Sequence, residues 1–314
     1  MMGKYVFKRI VQLIPILLGI TFLSFGFMRF ASGDAVDVLF ENNGGVVAQQ
    51  VIDAKKAELG LDRPFIVQYA SWLLEFMTGD MGTSYVSGQS VFETFFSKLP
   101  NTIMLTVSSI LLTLTISIPL GMYAAVKQNT WTDYVIRFFS FLGNSMPNFF
   151  VSLLLLLLFA VKLSWFPVIG SGNDLKSLIL PTCTLSIAMS AKYTRQVRAA
   201  VLEELSKDYV IGARARGVKE RIILSKSVFK SSMLTIVTLL GLSIGSLLGG
   251  TAIVETIFMW DGVGKMAVDA ITMRDYPMIQ AYVVWMAFIY VLINLITDLI
   301  YYYLDPRVRI GRER

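Results

Sequence analysis

The sequence predicts an all-α, polytopic membrane protein with six transmembrane helices. The chain of 314 residues is 55% hydrophobic and 16% charged, with a mean hydropathy of +0.63, whereas soluble domains carry about 25% charge. The charge is also unevenly spread. Six stretches, 10–28, 99–126, 138–161, 177–191, 231–254 and 276–297, contain no Asp, Glu, Lys or Arg. A helix of about 20 apolar residues crosses roughly 30 Å of hydrocarbon, and five of the stretches reach 19 residues or more. The fourth has 15, but Lys192 can snorkel its ammonium to the interface and lengthen that span. The third observation is the side on which the basic residues fall. With the N-terminus in the cytoplasm and six alternating helices, the inside segments hold 19 Lys and Arg against seven acids, and the outside segments nine against 14. Basic residues near span ends resist translocation, so both termini are expected in the cytoplasm.

Taken in order, residues 1–98 comprise a first span at about 10–30 and an outside segment. Lys4, Lys8 and Arg9 precede that span as in a signal peptide. It is longer than an h-region, and no small-residue cleavage pattern follows Phe30, so it reads as retained. Outside, Ala48–Leu59 has a helical pattern stopped by Gly60. After Pro64, Phe65, Tyr69, Trp72 and Phe76 recur at helical steps with Ile66, Leu73 and Met77. That stripe suits an amphipathic helix on the membrane surface or against neighbouring spans. Gly79, Gly82 and Gly88 then mark turns. Residues 99–306 form a core of five spans, at about 101–126, 135–161, 177–197, 232–254 and 279–303. It contains the inside loop 192–230 and is followed by a cytoplasmic tail, 307–314.

Several chemistries are excluded. There is no histidine and one cysteine, Cys183, so His-based metal sites, haem ligation, His general bases and an intrachain disulfide are ruled out. A net charge of +6 is met by inside-loop charge and requires no nucleic acid. The nearest approach to a phosphate-binding loop, Gly264-Lys265, has Met259 and Met266 where the glycine and the hydroxyl residue belong. Gly82-Thr83-Ser84-Tyr85-Val86 lacks the last glycine of a nucleophile elbow. Nothing in the chain reads as catalytic.

The informative segment lies in the inside loop, from Asp208 to Glu220. Gly212, Ala213 and Ala215 leave one side of a short helix close-packable, Arg214 and Arg216 project, and Gly217 supplies a stop with positive φ. A short helix with a knob-like end is suited to pressing into a cytoplasmic partner. The segment resembles the loop signature E-A-A-x-x-x-G of the inner-membrane permeases of binding-protein-dependent ABC importers. Ile211 stands for the Glu, Gly212 and Ala213 for the alanines and Gly217 for the Gly, and Leu234-Thr235 occupies the later apolar position without its proline. The Ala-Arg-Ala-Arg-Gly form is similar to the dipeptide/oligopeptide/nickel branch. So are Leu59-Gly60-Leu61-Asp62-Arg63-Pro64, Gly79-Asp80-Met81-Gly82, Phe258–Gly264, Arg274-Asp275-Tyr276-Pro277 and Leu304-Asp305-Pro306-Arg307. The long segment between the first two spans marks the first of two paired permeases. Ser145-Met146-Pro147-Asn148-Phe149 resembles the nickel-type members.

Three features lie within the spans. Asn144, Ser145, Pro147 and Asn148 interrupt the third. Pro147 removes a helical hydrogen bond, and the freed carbonyls either line a substrate path or are satisfied by neighbouring helices. Gly241, Gly245 and Gly249 form a small-residue face on the fifth span, suited to close packing. Asp298 lies near the inner end of the sixth and reads as solvated at the interface.

The resemblance implies a bacterial inner-membrane permease subunit with the type I ABC importer fold, itself not an enzyme. It implies a second homologous permease, two cytoplasmic ATPases that bind ATP and Mg, an extracytoplasmic binding protein and surrounding lipid as partners, with no cofactor bound by this chain. Residues 212–217 would couple to the ATPase, and the substrate would be nickel in chelated form or a small peptide. The alternative class is a stand-alone secondary carrier or channel. Such carriers place paired ionisable groups near the midplane, which the long charge-free gaps disfavour.

Overall fold

The computed structural model describes residues 2–31, 63–169 and 174–304. The helix expected over Ala48–Leu59 and the tail 307–314 fall outside them. Among the described residues the regular elements are helices: α1 (Met2–Ala31), α2 (Phe65–Thr78), α3 (Val91–Val126), α4 (Trp131–Ser145), α5 (Asn148–Leu155), α6 (Leu175–Leu205), α7 (Asp208–Ala215), α8 (Phe229–Ile257), α9 (Val263–Met273) and α10 (Tyr276–Leu304). π-helical stretches at Leu156–Lys162 and Ile223–Val228 continue α5 and lead into α8. The chain divides into two compact units, Met1–Pro100 with Gly262–Leu292, and Asn101–Asp261 with Ile293–Arg314.

The first unit is built on rings and a buried carboxylate. Phe65, Tyr69 and Trp72 of α2 meet Phe22 and Phe25 of α1 in edge and tilted contacts at ring-centroid distances of 5.2–5.8 Å, and Phe76 meets Trp285 of α10 at 6.2 Å. The Tyr69 hydroxyl adds a 2.8 Å hydrogen bond with Thr21 Oγ1. The expected aromatic stripe therefore packs on neighbouring helices. Val91, Phe95, Val263, Met266, Ala270 and Ile279 close an apolar core. Asp275, buried between α9 and α10, accepts from Ser84 Oγ (2.5 Å) and from the Tyr85 N–H (3.1 Å). Ser84 Oγ in turn accepts the N–H groups of Val86 and Ser87, so one carboxylate fixes the whole 84–87 turn.

The second unit is built on small hydroxyl residues. Thr102, Thr106, Ser109, Thr113 and Ser117 recur at three- and four-residue steps on α3, and Thr182, Ser186, Ser190 and Thr194 at four-residue steps on α6; all nine are buried. The two rows face each other with the helices parallel. Ser108 pairs with Thr182 (2.9 Å) and Ser186 donates to the Ser109 carbonyl (3.1 Å). Further along, a Cβ at Gly121 would stand 2.6 Å from Val197 Cβ and 2.8 Å from the Thr194 carbonyl. Lipid supplies no hydrophobic drive between spans, so contact has to come from close backbone approach and hydrogen bonds. Gly241 does the same for α8 and α10, where an added Cβ would lie 2.0 Å from Thr297 Cγ2. Trp260, fully buried, donates Nε1–H to the Asn101 carbonyl, and the Asn101 amide returns a bond to Asp261.

The third span differs from the single kinked helix expected over 135–161. It is two helices, α4 and α5, whose axes turn through 100° at Met146-Pro147. Pro147 has no N–H and its ring disfavours α geometry in the preceding residue. Met146 accordingly sits at φ −85°, ψ 127° and Pro147 at φ −62°, ψ 141°. By length and hydropathy, Val11–Arg29, Val91–Val126 and Tyr276–Ile300 can cross a membrane among the described residues, and the bent pair makes a fourth if taken as one span. α6 and α8 carry the fourth and fifth charge-free stretches. α6 is the less apolar for its hydroxyl row and for Lys192, Arg195 and Arg198 in its second half.

Candidate functional site

The loop singled out in the sequence is a compact knob. Residues 206–207 turn the chain out of α6 and α7 follows at once. Val210 points inward, fully buried among Val197, Val201, Ile223 and Val228. Gly212 and Ala213 are half-buried on the same side, while Ile211, Arg214, Ala215 and Arg216 are exposed. Gly217 stands at φ 75°, in the left-handed region that an L side chain enters at a cost. There the Gly217 N–H donates to the Arg214 carbonyl (2.9 Å) and the Val218 N–H to that of Ala213 (3.1 Å), closing the helix end. Arg214 reaches over the stop in a two-pronged bond to Glu220, at 2.6 and 3.1 Å. That bond holds the Glu220 carboxyl below the usual carboxylate range and pushes the Arg214 guanidinium up. Tyr209 donates to Glu204 at 2.8 Å. The result is a short helix with an anchored side, an exposed basic and apolar side, and a fixed end.

α6, on which the knob is anchored through Val197 and Val201, also walls a cavity with its earlier turns. Between α3, α4, α5 and α6 lies a space of about 730 Å³ whose wall includes Ile116, Phe139, Gly143, Met146, Phe159 and Ile187. Its lining carries no charged side chain, and its polar groups are those of Ser140, Cys183, Ser186, Ser190 and Thr194. Of the four residues expected along a path, Asn144, Ser145 and Pro147 are exposed and Asn148 is half-buried. None of them lines this cavity, although Gly143 and Met146 beside them do. Asn144 and Asn148 sit on different helices across the 100° turn, so they do not share a helical face. Ser145 Oγ returns to the Phe141 carbonyl (2.9 Å), and the Asn148 carbonyl accepts from Ser152 (3.0 Å).

One turn beyond the cavity wall, Asp133 of α4 accepts two bonds from Arg198 of α6, at 2.7 and 2.8 Å, and one from the Asn129 N–H at 3.0 Å. Asp133 is fully buried. In the sequence both residues register only as inside charges. A count of charges also passes over the facing hydroxyl rows of α3 and α6, although their four-residue period is visible in the chain. Among the described residues no three His, Cys, Asp or Glu side chains gather as metal ligands.

The family model for the inner membrane component of binding-protein-dependent transport systems matches residues 117–310, and that for the N-terminal part of such membrane components matches residues 2–106. The chain is 39% identical over 317 residues to the oligopeptide transport system permease protein AppB of Bacillus subtilis, covering 98% of this chain and 99% of that one. It is 37% identical over 308 residues to the glutathione transport system permease protein GsiC of Salmonella choleraesuis, with 98% and 99% covered. Identity to the dipeptide transport system permease protein DppB of Alkalihalophilus pseudofirmus is 33% over 335 residues, with 98% and 100% covered. A solved chain of the inward-facing methionine ABC transporter MetNI superposes with a TM-score of 0.55 at 16% identity, over 67% of this chain and 96% of that one. The likeness is one of fold, the type I ABC importer permease fold. The chain therefore belongs to the family of inner-membrane permease components of binding-protein-dependent ABC importers, a multi-pass membrane subunit that is not itself an enzyme.

Proposed function

We propose that this chain forms, with a second homologous permease, the passage by which a short peptide enters a bacterial cell, and that α7 is the knob through which ATP-driven motion reaches it. The observation that supports the second part is the build of 208–220: Val210 fixes the helix to the membrane core, while Ile211 and Arg216 face away from it. Two cytoplasmic ATPases would hold ATP and Mg, and an extracytoplasmic binding protein would deliver the substrate. The charge asymmetry supports N- and C-termini in the cytoplasm. The substrate class is supported by the relatives named above, whose names carry oligopeptide, glutathione and dipeptide. The chelated-nickel reading drawn from Ser145–Phe149 has no counterpart among them, so the short peptide is the substrate proposed.

The test is mechanical. An ATPase should co-purify with the wild-type protein. Gly217→Val should lower uptake while membrane insertion persists, because a β-branched residue in the left-handed region costs about 1–2 kcal/mol and would misalign the helix end. Full uptake by that variant would remove the role given to the loop. An impermeant thiol reagent on intact cells should label a cysteine placed at Lys55 and spare one at Lys219; the reverse pattern would invert the topology.

A further inference from the structure

Helix α2 has three faces. At about 100° per residue, Phe65, Tyr69, Trp72 and Phe76 share the face that meets the rings of α1 and Trp285. Gln68, Ser71, Glu75 and Thr78 follow one another on one flank of it, and Glu75 is the single charged residue of the helix. Ile66, Ala70, Leu74 and Met77 form the other flank. That flank is apolar and open: Ile66 is 62% exposed, Leu74 66% and Met77 75%. A helix divided in this way separates water from an apolar phase.

The attachment to α1 gives the depth and the direction. Phe65, Tyr69 and Trp72 cover about two turns of α2, yet all three meet Phe25, at 5.4–5.8 Å. The helix therefore crosses α1 and does not run beside it. At about 1.5 Å per residue, Phe25 lies about 6 Å and Leu18 about 16 Å along the axis from Arg29, the end of the span Val11–Arg29. A crossing at Phe25 is thus within the roughly 5–10 Å depth of helices that lie in a membrane interface. Tyr69, the ring nearest the apolar flank, points to the deep side, because its hydroxyl donates to the Leu18 carbonyl (3.3 Å), toward the middle of the span. The apolar flank is accordingly the deep one and Glu75 lies on the shallow one. We infer that α2 lies along the outer leaflet, with Ile66, Leu74 and Met77 among phospholipid acyl chains and Glu75 toward the headgroups. At the same level α1 exposes Leu23 and Phe27, so one layer of acyl chains would cover both helices. The inference rests on the topology proposed above, which puts Arg29 at the outer end of α1, and adds that lipid holds the outside segment at a set height.

Spin labels test this in the full chain, purified with its ATPase and placed in phosphatidylcholine–phosphatidylglycerol nanodiscs. The single cysteine, Cys183, is first removed by Cys183→Ser. A nitroxide is then attached in turn through Ile66→Cys, Leu74→Cys, Glu75→Cys and Met77→Cys. Collisions with oxygen, which concentrates in acyl chains, should exceed those with aqueous chromium oxalate several-fold at 66, 74 and 77, and the order should reverse at 75. The oxygen-rich labels should sit about 5–10 Å below the phosphates. Chromium oxalate reaching 74 and 77 as freely as 75 would put the helix in water and overturn the inference. So would labels at 74 and 77 that neither reagent reaches, because protein would then cover the flank. The wild-type chain gives a reading free of substitutions: a phospholipid with a diazirine high on its acyl chain should cross-link to 65–78, located by peptide mass spectrometry, and no adduct there would also overturn it. If thiol labelling at 55 and 219 inverts the topology while the collision pattern stands, the assignment to the outer leaflet falls and the contact with lipid remains.

Discussion

In the first unit, bulk fills the space between elements: Phe22, Phe25, Phe65, Tyr69, Trp72 and Phe76 meet at interplanar angles from 32° to 89°. In the second, α3 and α6 meet through Thr, Ser and Gly, and backbone approaches within van der Waals contact of side chain at Gly121 and Gly143. The contrast is one of tolerance. Rings in tilted and edge contacts can shift and still bury area, since no single geometry is required. A seam of small residues works only at one separation, because an added methyl group has nowhere to go. The α6 side of the cavity carries contacts of the second kind, at Ser186, Ser190 and Thr194, whereas the knob is held by aliphatic packing of Val210 on Val197, Val201, Ile223 and Val228.

The largest expected effect is at the buried ion pair of Asp133 on α4 with Arg198 on α6. Asp133→Ala leaves Arg198 without its partner, and losing one member of a buried pair costs about 3–5 kcal/mol. The thermal midpoint of the purified protein should fall sharply, and Asp133→Leu with Arg198→Met should recover much of the loss. Next comes the seam. Gly121→Leu forces a side chain into a space where Cβ alone would stand 2.6 Å from Val197, and overpacking of this kind costs about 1–3 kcal/mol. In the ring cluster, Phe76→Leu keeps most of the volume and should cost less than about 1.5 kcal/mol. If Phe76→Leu proves as damaging as Gly121→Leu in the same melting assay, the contrast in tolerance is wrong.

The smallest effect is at Arg214–Glu220. Because Arg214 depresses the carboxyl of Glu220, the pair contributes above the unfolded-state value, near pH 4.3, and its contribution is lost as pH falls through the lower folded-state value. Both side chains are about half exposed, so solvent screening limits the pair to about 1 kcal/mol or less. Amide exchange at 214–220 should quicken below pH 4 in the wild type and show no such acid step in Glu220→Gln.

The parts of the molecule that could be read in the chain are those governed by near neighbours. The charge gaps located α1, α3, α6, α8 and α10 because hydrocarbon excludes ionised groups along a continuous segment. The ring stripe of α2 and the left-handed stop at Gly217 follow from helical spacing and from glycine's freedom. What escaped depends on partners far along the chain or on groups that hydropathy treats as neutral. Asp133 and Arg198 are 65 residues apart, and Ser84 and Asp275 are 191 apart. Serine and threonine leave a span apolar enough to be counted as membrane, so their four-residue rows were invisible to a count of charges. Pro147 announced a disturbance, but a single missing N–H does not reveal whether a helix bends slightly or turns through 100°. Asn144, Ser145, Pro147 and Asn148 stand out in the chain by polarity and by the proline, whereas the cavity is walled by their less conspicuous neighbours, Gly143 and Met146.

The π-helical stretch Ile223–Val228 sets a rule about chain length. A π turn accommodates one residue more than an α turn, and each residue advances an α-helix by about 100° around its axis. Deleting a single residue between 223 and 228 would let the stretch relax to α geometry with hardly any change in length. The faces on either side would keep their phase, because the π turn had already absorbed the extra residue, and Val210 could still face Val197 and Val201. The same deletion within the α geometry of α8 would turn everything before it by about 100°, so 223–228 is where the chain can change length without re-aiming the knob.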